Sequence, residues 1–128
     1  MTFSQLGIST ELIKELSNQG ITAPYPIQEK AIPAILKQRD VLGIAQTGSG
    51  KTASYALPIL MKLKGKTATK TRDVNTLVLV PTRELAVQVG EVFTSLSKSL
   101  SYAVKTMSVF GGVSINPQMK GMYGVNVL

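Results

Sequence analysis

Apolar positions along the chain recur with two different periods. Leu12, Ile13 and Leu16 fall on one face of a helix, with Ser9 in front as a cap and Gly20 behind as a stop. The pattern predicts a helix from Ser9 to about Gln19. Tyr25-Pro26 opens a second, to about Lys37, with Pro26 in its tolerant first turn and Pro33 as an internal kink. A third runs from Gly50 to about Lys62, bent at Pro58. A fourth runs from Thr82 to about Leu100, its apolar stripe being Leu85, Val89, Val92, Phe93 and Leu96. Between the helices lie short apolar runs of strand length. Val41–Ala45 and Thr76–Val80 read as buried strands, and Ala103–Phe110 as another, ended by Gly111-Gly112. The last residues, "GVNVL", look like a further strand begun and not finished. Strands alternating with helices predict an α/β fold with a mainly parallel sheet flanked by helices. Lys62–Asp73, "KLKGKTATKTRD", has no period and is expected to be a basic surface loop.

One junction between strand and helix carries chemistry. Ala45, Gln46, Thr47, Gly48, Ser49, Gly50, Lys51 and Thr52 form the x-x-x-x-x-G-K-T spacing of a phosphate-binding loop. Gly48 and Gly50 free the backbone to turn and aim N–H groups at phosphate oxygens. The following helix adds its positive N-terminal end. Lys51 reaches the outer phosphates, and Thr52 offers a hydroxyl to Mg²⁺. These two are the candidate catalytic residues, and the eight together the candidate nucleotide-holding set. Ala45 stands where the strict pattern has glycine. The alternative is a ligand-free glycine turn, which the strand-loop-helix setting argues against.

Composition narrows the field. The 128 residues suffice for one domain, with 14 Lys+Arg against 7 Asp+Glu and a net charge of +7. That favours an anionic partner, nucleic acid first, although a basic surface alone satisfies it equally. With no Cys and no His, disulfides, thiolate zinc sites and Ser-His triads are excluded. No apolar run approaches the roughly 18 residues of a membrane span, and the first residues do not read as a signal peptide. A cytoplasmic location is expected.

The loop does not read the base. In "GITAPYPIQEKAIP", Gly20–Pro33, the Gln28 amide can donate and accept at once, which matches the N6 and N7 edge of adenine and not that of guanine. Phe3 could stack on the purine. From the residues alone, a plain helix glutamine and a core phenylalanine are the stronger alternative.

The motifs taken together change that weighting. Phe3, Gly20, Pro24, Ile27 and Gln28 resemble the Q motif of DEAD-box RNA helicases. "AQTGSGKT", Ala45–Thr52, is similar to their motif I. "PTRELA", Pro81–Ala86, matches motif Ia, and "FGG", Phe110–Gly112, resembles the GG element. "VFGGVSINPQMK", Val109–Lys120, resembles the bacterial RhlE-like group in particular. The resemblance implies the RecA-like first lobe of an ATP-dependent RNA helicase. Residues 1–39 would form a Q-motif helical segment and 40–128 a partial ATP-binding domain, as one structural unit. Gln28 and Phe3 would contact adenine, and Gln46 to Thr52 the phosphates and Mg²⁺. Pro81, Thr82, Arg83, Gly111 and Gly112 would touch the RNA backbone. Tyr25 stands where the family has threonine.

The residues fit an RNA-backbone role: Thr82 caps a helix whose first amides suit a phosphate, and Arg83 adds charge. Glu84 is expected to orient Arg83 or cap the turn. An exposed ion pair of little worth is the even alternative. No base-reading set of side chains is visible, so binding is expected to be sequence-independent.

The acidic residues are Glu11, Glu15, Glu29, Asp40, Asp73, Glu84 and Glu91, and none ends an apolar strand. A hydrolytic site of this class needs a carboxylate pair there. The family's DEAD, SAT and TPGR elements and its second lobe are absent. The fold is therefore expected to stop before the Walker B strand, with gripping and no efficient cutting of ATP. Open sheet edges then predict self-association, through exchange of Val125–Leu128. The rival readings are a small-molecule kinase, for which no arginine-rich lid appears, a DNA helicase, and a non-catalytic RNA-binding fragment.

Overall fold

A computed structural model describes residues 1–66 and 73–128. Five α-helices follow one another: α1 (Thr10–Asn18), α2 (Pro26–Leu36), α3 (Lys51–Lys62), α4 (Arg83–Leu96) and α5 (Ile115–Gly121). A 3-10 turn, Ser97–Ser99, extends α4.

The first four helices match the periodicity. Each presents its apolar stripe to one shared core, in which Leu12, Ile32, Leu57, Leu60 and Phe93 are fully buried. α2 packs on α3, α3 on α4, and α1 on the end of α4 and its 3-10 turn. α1 ends where Gly20 takes the left-handed conformation, φ 77°. Ser9 stands at its N-cap position but makes no side-chain capping bond, and its hydroxyl is buried without a partner among the described residues. α2 and α3 run on through Pro33 and Pro58. A proline removes one intrahelical bond, and burial of Pro58 in the core offsets that loss.

Glu15 is the one carboxylate buried in this core. The Ser99 hydroxyl donates to it at 2.5 Å and the Gln19 amide at 3.0 Å. These two hydrogen bonds, Ser99 first, hold its pKa below the usual carboxylate value. The pair ties α1 to the turn after α4. The hydroxyl of half-buried Tyr102 donates to the Leu60 carbonyl at 2.7 Å, and its partial burial raises its pKa.

Parallel pairing is narrower than the sequence suggests. Val127 bridges in parallel to both Thr76 and Thr106, so the last residues run between two flanking segments. Leu128 N donates to Thr76 O at 2.9 Å and Val78 N to Leu128 O at 2.7 Å on one side. Met107 N donates to Val127 O at 2.9 Å on the other. Asn126 is buried and bridges the same two segments. Its amide nitrogen donates to Asn75 Oδ1 at 3.0 Å, and its oxygen accepts from Lys105 N at 2.9 Å. Among the described residues, pairing outside the helices is confined to these places.

Three expectations are corrected here. Val41–Ala45 is not a buried strand: Leu42 and Ile44 are 87% and 85% exposed. No described segment pairs with it, and an extended run without ladder partners leaves its peptide groups to water. Thr76–Val80 is not buried on both faces. Val78 and Val80 lean on the core while Leu77 and Leu79 are 60% and 84% exposed. The alternation is that of a sheet covered on one side. The fourth helix ends at Leu96, short of Leu100, where the chain tightens into the 3-10 turn. Half of the basic loop, 67–72, lies outside the described residues, and its first residue, Lys62, is the last of α3. No helix among the described residues is long and apolar enough to cross a membrane.

Candidate functional site

The loop before α3 has the geometry of a phosphate cradle. Gly48 and Gly50 both take the left-handed conformation, at φ 79° and 80°. Gly50 is the residue that starts α3, and the amides of the first turn after it have no partner inside the helix. Ser49 Oγ is buried without a partner among the described residues. An inward orphaned hydroxyl, free first-turn amides and a positive helix end suit an anion.

Lys51 lies folded on this loop. Its ammonium donates to the carbonyl oxygens of Ala45 and, at 2.7 Å, of Gln46. Both acceptors are neutral. A phosphate oxygen is the stronger acceptor for an ammonium, so an arriving anion competes favourably for this lysine. Thr52 follows in the first turn and is half-buried. Among the described residues no cluster of three or more His, Cys, Asp or Glu could hold a metal ion. Any Mg²⁺ here would rest on Thr52 and on the nucleotide itself; Glu91 lines the same shallow cavity as Thr52 as a single acidic side chain, without a second carboxylate among that lining.

Gln28 reaches the same loop from α2. It is 2% exposed. Its Oε1 accepts from Tyr25 N at 3.0 Å, and its Nε2 donates to Gly50 O at 3.2 Å. The side chain thus spans from the start of α2 to the start of α3. The fit around Gly50 is close: a Cβ there would lie 2.4 Å from Gln28 Nε2 and 2.9 Å from Tyr25 Cδ2. Tyr25, the departure from the family pattern, therefore packs against the phosphate loop itself. Phe3 does not join this group. It is 3% exposed and part of the hydrophobic core, so stacking on a base would require it to leave that core.

The second set of predicted residues gathers at the start of α4. Thr82 is the N-cap, its hydroxyl accepting from Leu85 N at 3.1 Å. Pro81, Thr82 and Arg83 are exposed. The Arg83 guanidinium donates to Gly111 O at 2.8 Å and lies 5.0 Å from the centre of the Phe110 ring. No ion pair joins it to Glu84 among the described residues, so Glu84 does not orient it; the glycine turn does. Gly112 has φ 80°, and a Cβ there would come within 2.7 Å of Arg83 Nη2. Arg83, Gly111 and Gly112 thus form one exposed, positively charged surface patch.

Gln118 lies within the stretch Val109–Lys120, but neither motif nor period gives it a role of its own. It brackets Phe110 from α5, accepting from Phe110 N at 2.9 Å and donating to Phe110 O at 3.3 Å. Only its place four residues beyond Ser114, in "GGVSINPQMK", hinted that it faces back towards the turn.

Comparison with known proteins gives a consistent answer. The sequence profile of the DEAD/DEAH box helicase family matches residues 25–128. An ATP-dependent RNA helicase DeaD of Buchnera aphidicola subsp. Baizongia pistaciae (strain Bp) is 46% identical over 122 residues, 95% of this chain and 19% of that protein. The DEAD-box ATP-dependent RNA helicase RhpA of Helicobacter pylori (strain B128) is 44% identical, over 91% of this chain and 22% of its own length. The chain spans about a fifth of the length of these curated relatives. Among solved structures, a DEAD box protein from the hyperthermophile Methanococcus jannaschii superposes with a TM-score of 0.84 at 35% identity, covering 99% of this chain and 33% of that one. The RNA helicase Prp28 from Chaetomium thermophilum, bound to ADP, gives a TM-score of 0.78 at 33% identity, covering 95% and 30%. This chain belongs to the DEAD/DEAH box helicase family.

Proposed function

We propose that this chain is the ATP-gripping and RNA-gripping part of a longer ATP-dependent RNA helicase of the RhlE-like bacterial group. The observation that carries the reading is the join between Gln28 and Gly50: a buried amide of the kind that reads adenine is bonded to the residue that starts the phosphate-loop helix. Base selection and phosphate holding then sit on one rigid unit. In this reading residues 1–39 form the Q-motif segment and 40–128 part of a RecA-like domain whose mainly parallel sheet is completed by the longer protein. That protein works in the cytoplasm.

Each residue has a stated task. Ala45 to Gly50 present backbone amides to the phosphates of ATP. Lys51 leaves the carbonyls of Ala45 and Gln46 to meet the outer phosphates, and Thr52 contributes a hydroxyl to Mg²⁺. The metal, when bound, neutralises phosphate charge and holds the outer phosphates in register. Gln28 reports on the base, while Phe3 supports this end of the fold from the core. Pro81, Thr82, Arg83, Gly111 and Gly112 hold the RNA backbone without reading sequence. No acidic pair ends an apolar run to poise water, so gripping is separated from cutting.

The test is turnover by the purified chain with RNA and Mg-ATP. No appreciable phosphate release is expected, together with retained ADP binding. Robust turnover abolished by Lys51→Ala contradicts the reading. Self-association belongs to it as well. The extended runs at 41–45 and 77–80 carry exposed Leu42, Ile44, Leu77 and Leu79, an apolar template on which a second copy can pair. Light scattering is expected to show mass rising with concentration; a constant monomer mass contradicts it.

A further inference from the structure

Gln118 lies in a seven-residue helix that buries none of its residues. A helix so short has little of its own to hold it in place. Yet the Gln118 amide makes three bonds to main chain: with Phe110 N at 2.9 Å, Phe110 O at 3.3 Å and Ser114 O at 3.3 Å. Bonding both the N–H and the C=O of one residue is what a neighbouring strand does. Here a side chain does it instead, at the last residue before the glycine pair.

The consequences run outward from Phe110. Its ring lies under the Arg83 guanidinium at 5.0 Å, and the next carbonyl, Gly111 O, accepts from Arg83 at 2.8 Å. Gly112 must turn left-handed, with no side chain, for Arg83 to lie there. Gln118, Phe110, Gly111 and Arg83 thus form a continuous bracket from α5 to the first turn of α4. An unsupported arginine loses rotamer freedom when it binds a phosphate, a cost of up to about 2 kcal/mol for the side chain. One already held by a ring and a carbonyl has lost much of that freedom beforehand.

We propose that Gln118 is a positioning residue for RNA-backbone binding. It pins the Phe110–Gly112 turn so that Arg83 and the glycine amides meet one phosphate together. The proposal rests on the RNA reading of Arg83, Gly111 and Gly112 given above.

The experiment is fluorescence titration of a labelled oligouridylate with the full chain, across a salt series, for the unmodified protein, Gln118→Met, Arg83→Ala and the double variant. Methionine keeps the shape of glutamine and removes its hydrogen bonds. Gln118→Met is expected to weaken RNA binding about five- to tenfold, the loss of one or two modest hydrogen bonds. Its salt slope stays unchanged, because no charge is removed. Arg83→Ala weakens binding and lowers the slope by about one. The double variant loses less than the product of the two single losses, because Gln118 acts in part through Arg83. ADP affinity of Gln118→Met stays at the unmodified value, and its melting temperature falls by no more than the few degrees that one or two modest hydrogen bonds are worth.

Full affinity in Gln118→Met with a weakened Arg83→Ala overturns the inference and leaves the RNA reading standing. Additive losses in the double variant, or a Gln118→Met protein that also loses ADP binding, overturn the positioning role. An Arg83→Ala protein that binds as well as the unmodified one, or an unmodified chain that does not bind, overturns the RNA reading and the inference with it.

Discussion

Gly50→Ala is expected to lower the affinity of this chain for ADP by about 30- to 140-fold, the sum of about 1–2 kcal/mol of left-handed strain and about 1 kcal/mol for a displaced hydrogen bond, at 1.4 kcal/mol per tenfold. Two physical effects meet at this position. An L side chain disfavours φ 80°, so the variant loop relaxes away from the conformation in which α3 begins. Binding must then restore that conformation, and the strain becomes a binding cost. The second effect is steric: the new Cβ would sit 2.4 Å from Gln28 Nε2, which breaks the bond that joins α2 to the loop. Gly48→Ala separates the two. Its φ is 79° but nothing lies within 4 Å of a Cβ there, so only the strain applies. A loss of about 5- to 30-fold is expected for it. Isothermal titration of ADP with Mg²⁺ checks both. Equal losses in the two variants would mean that Gln28 does not support the loop, and an unchanged Gly50→Ala would remove the loop from the nucleotide site altogether. Neither glycine lies inside a helix, so the circular dichroism of both variants should stay near that of the unmodified chain.

Phe93→Ala is expected to be the most destabilising single truncation of the core, by about 3–5 kcal/mol. Phe93 is fully buried on α4 and is the largest of the fully buried side chains. Its ring lies 6.3 Å from that of Tyr55 on α3, tilted by 39°. Removing it opens a cavity where these two helices meet, close to the segment that carries Val78. Domains of this size are stable by about 5–15 kcal/mol, so the variant loses a large share of the total and can lie at the edge of folding. Urea unfolding followed by circular dichroism measures it. The control is Leu79→Ala. Leu79 is also a bulky hydrophobe but 84% exposed, and a change of no more than about 0.5 kcal/mol is expected. The unfolding is read at protein concentrations where light scattering gives a monomer; a Leu79→Ala loss as large as that of Phe93→Ala there would mean that this face is covered within the monomer.

What the sequence could reveal followed from where the relevant forces act. The stripes of α1 and α4 and the glycine stop at Gly20 are local, and those elements appear where periodicity places them. The glycine loop before α3 was legible because its spacing and its two left-handed glycines are local features. Strands were not legible in the same way. "VLGIA" and "TLVLV" are apolar enough for burial on both faces, but burial depends on neighbours far along the chain, and none of the described residues covers Leu42, Ile44, Leu77 or Leu79. α5 was missed because "INPQMKG" has a proline in its first turn and no apolar stripe. Gln118 was invisible for a related reason: a glutamine that bonds main chain eight residues away looks like any polar helix residue until the turn is seen. Phe3 shows the reverse. A motif assigns it to the base, while its hydrophobicity alone pointed to the core where it lies.

Adenine-selective nucleotide binding by the assembled Q-motif and phosphate loop is most directly measured by titrating fluorescent ADP into the chain with Mg²⁺, with ATP and GTP as competitors, and repeating it on Gln28→Ala. The predicted result is displacement by ATP and not by GTP in the unmodified chain, with both binding and preference lost in the variant. Equal displacement by GTP, or a Gln28→Ala protein that keeps the preference, would contradict it.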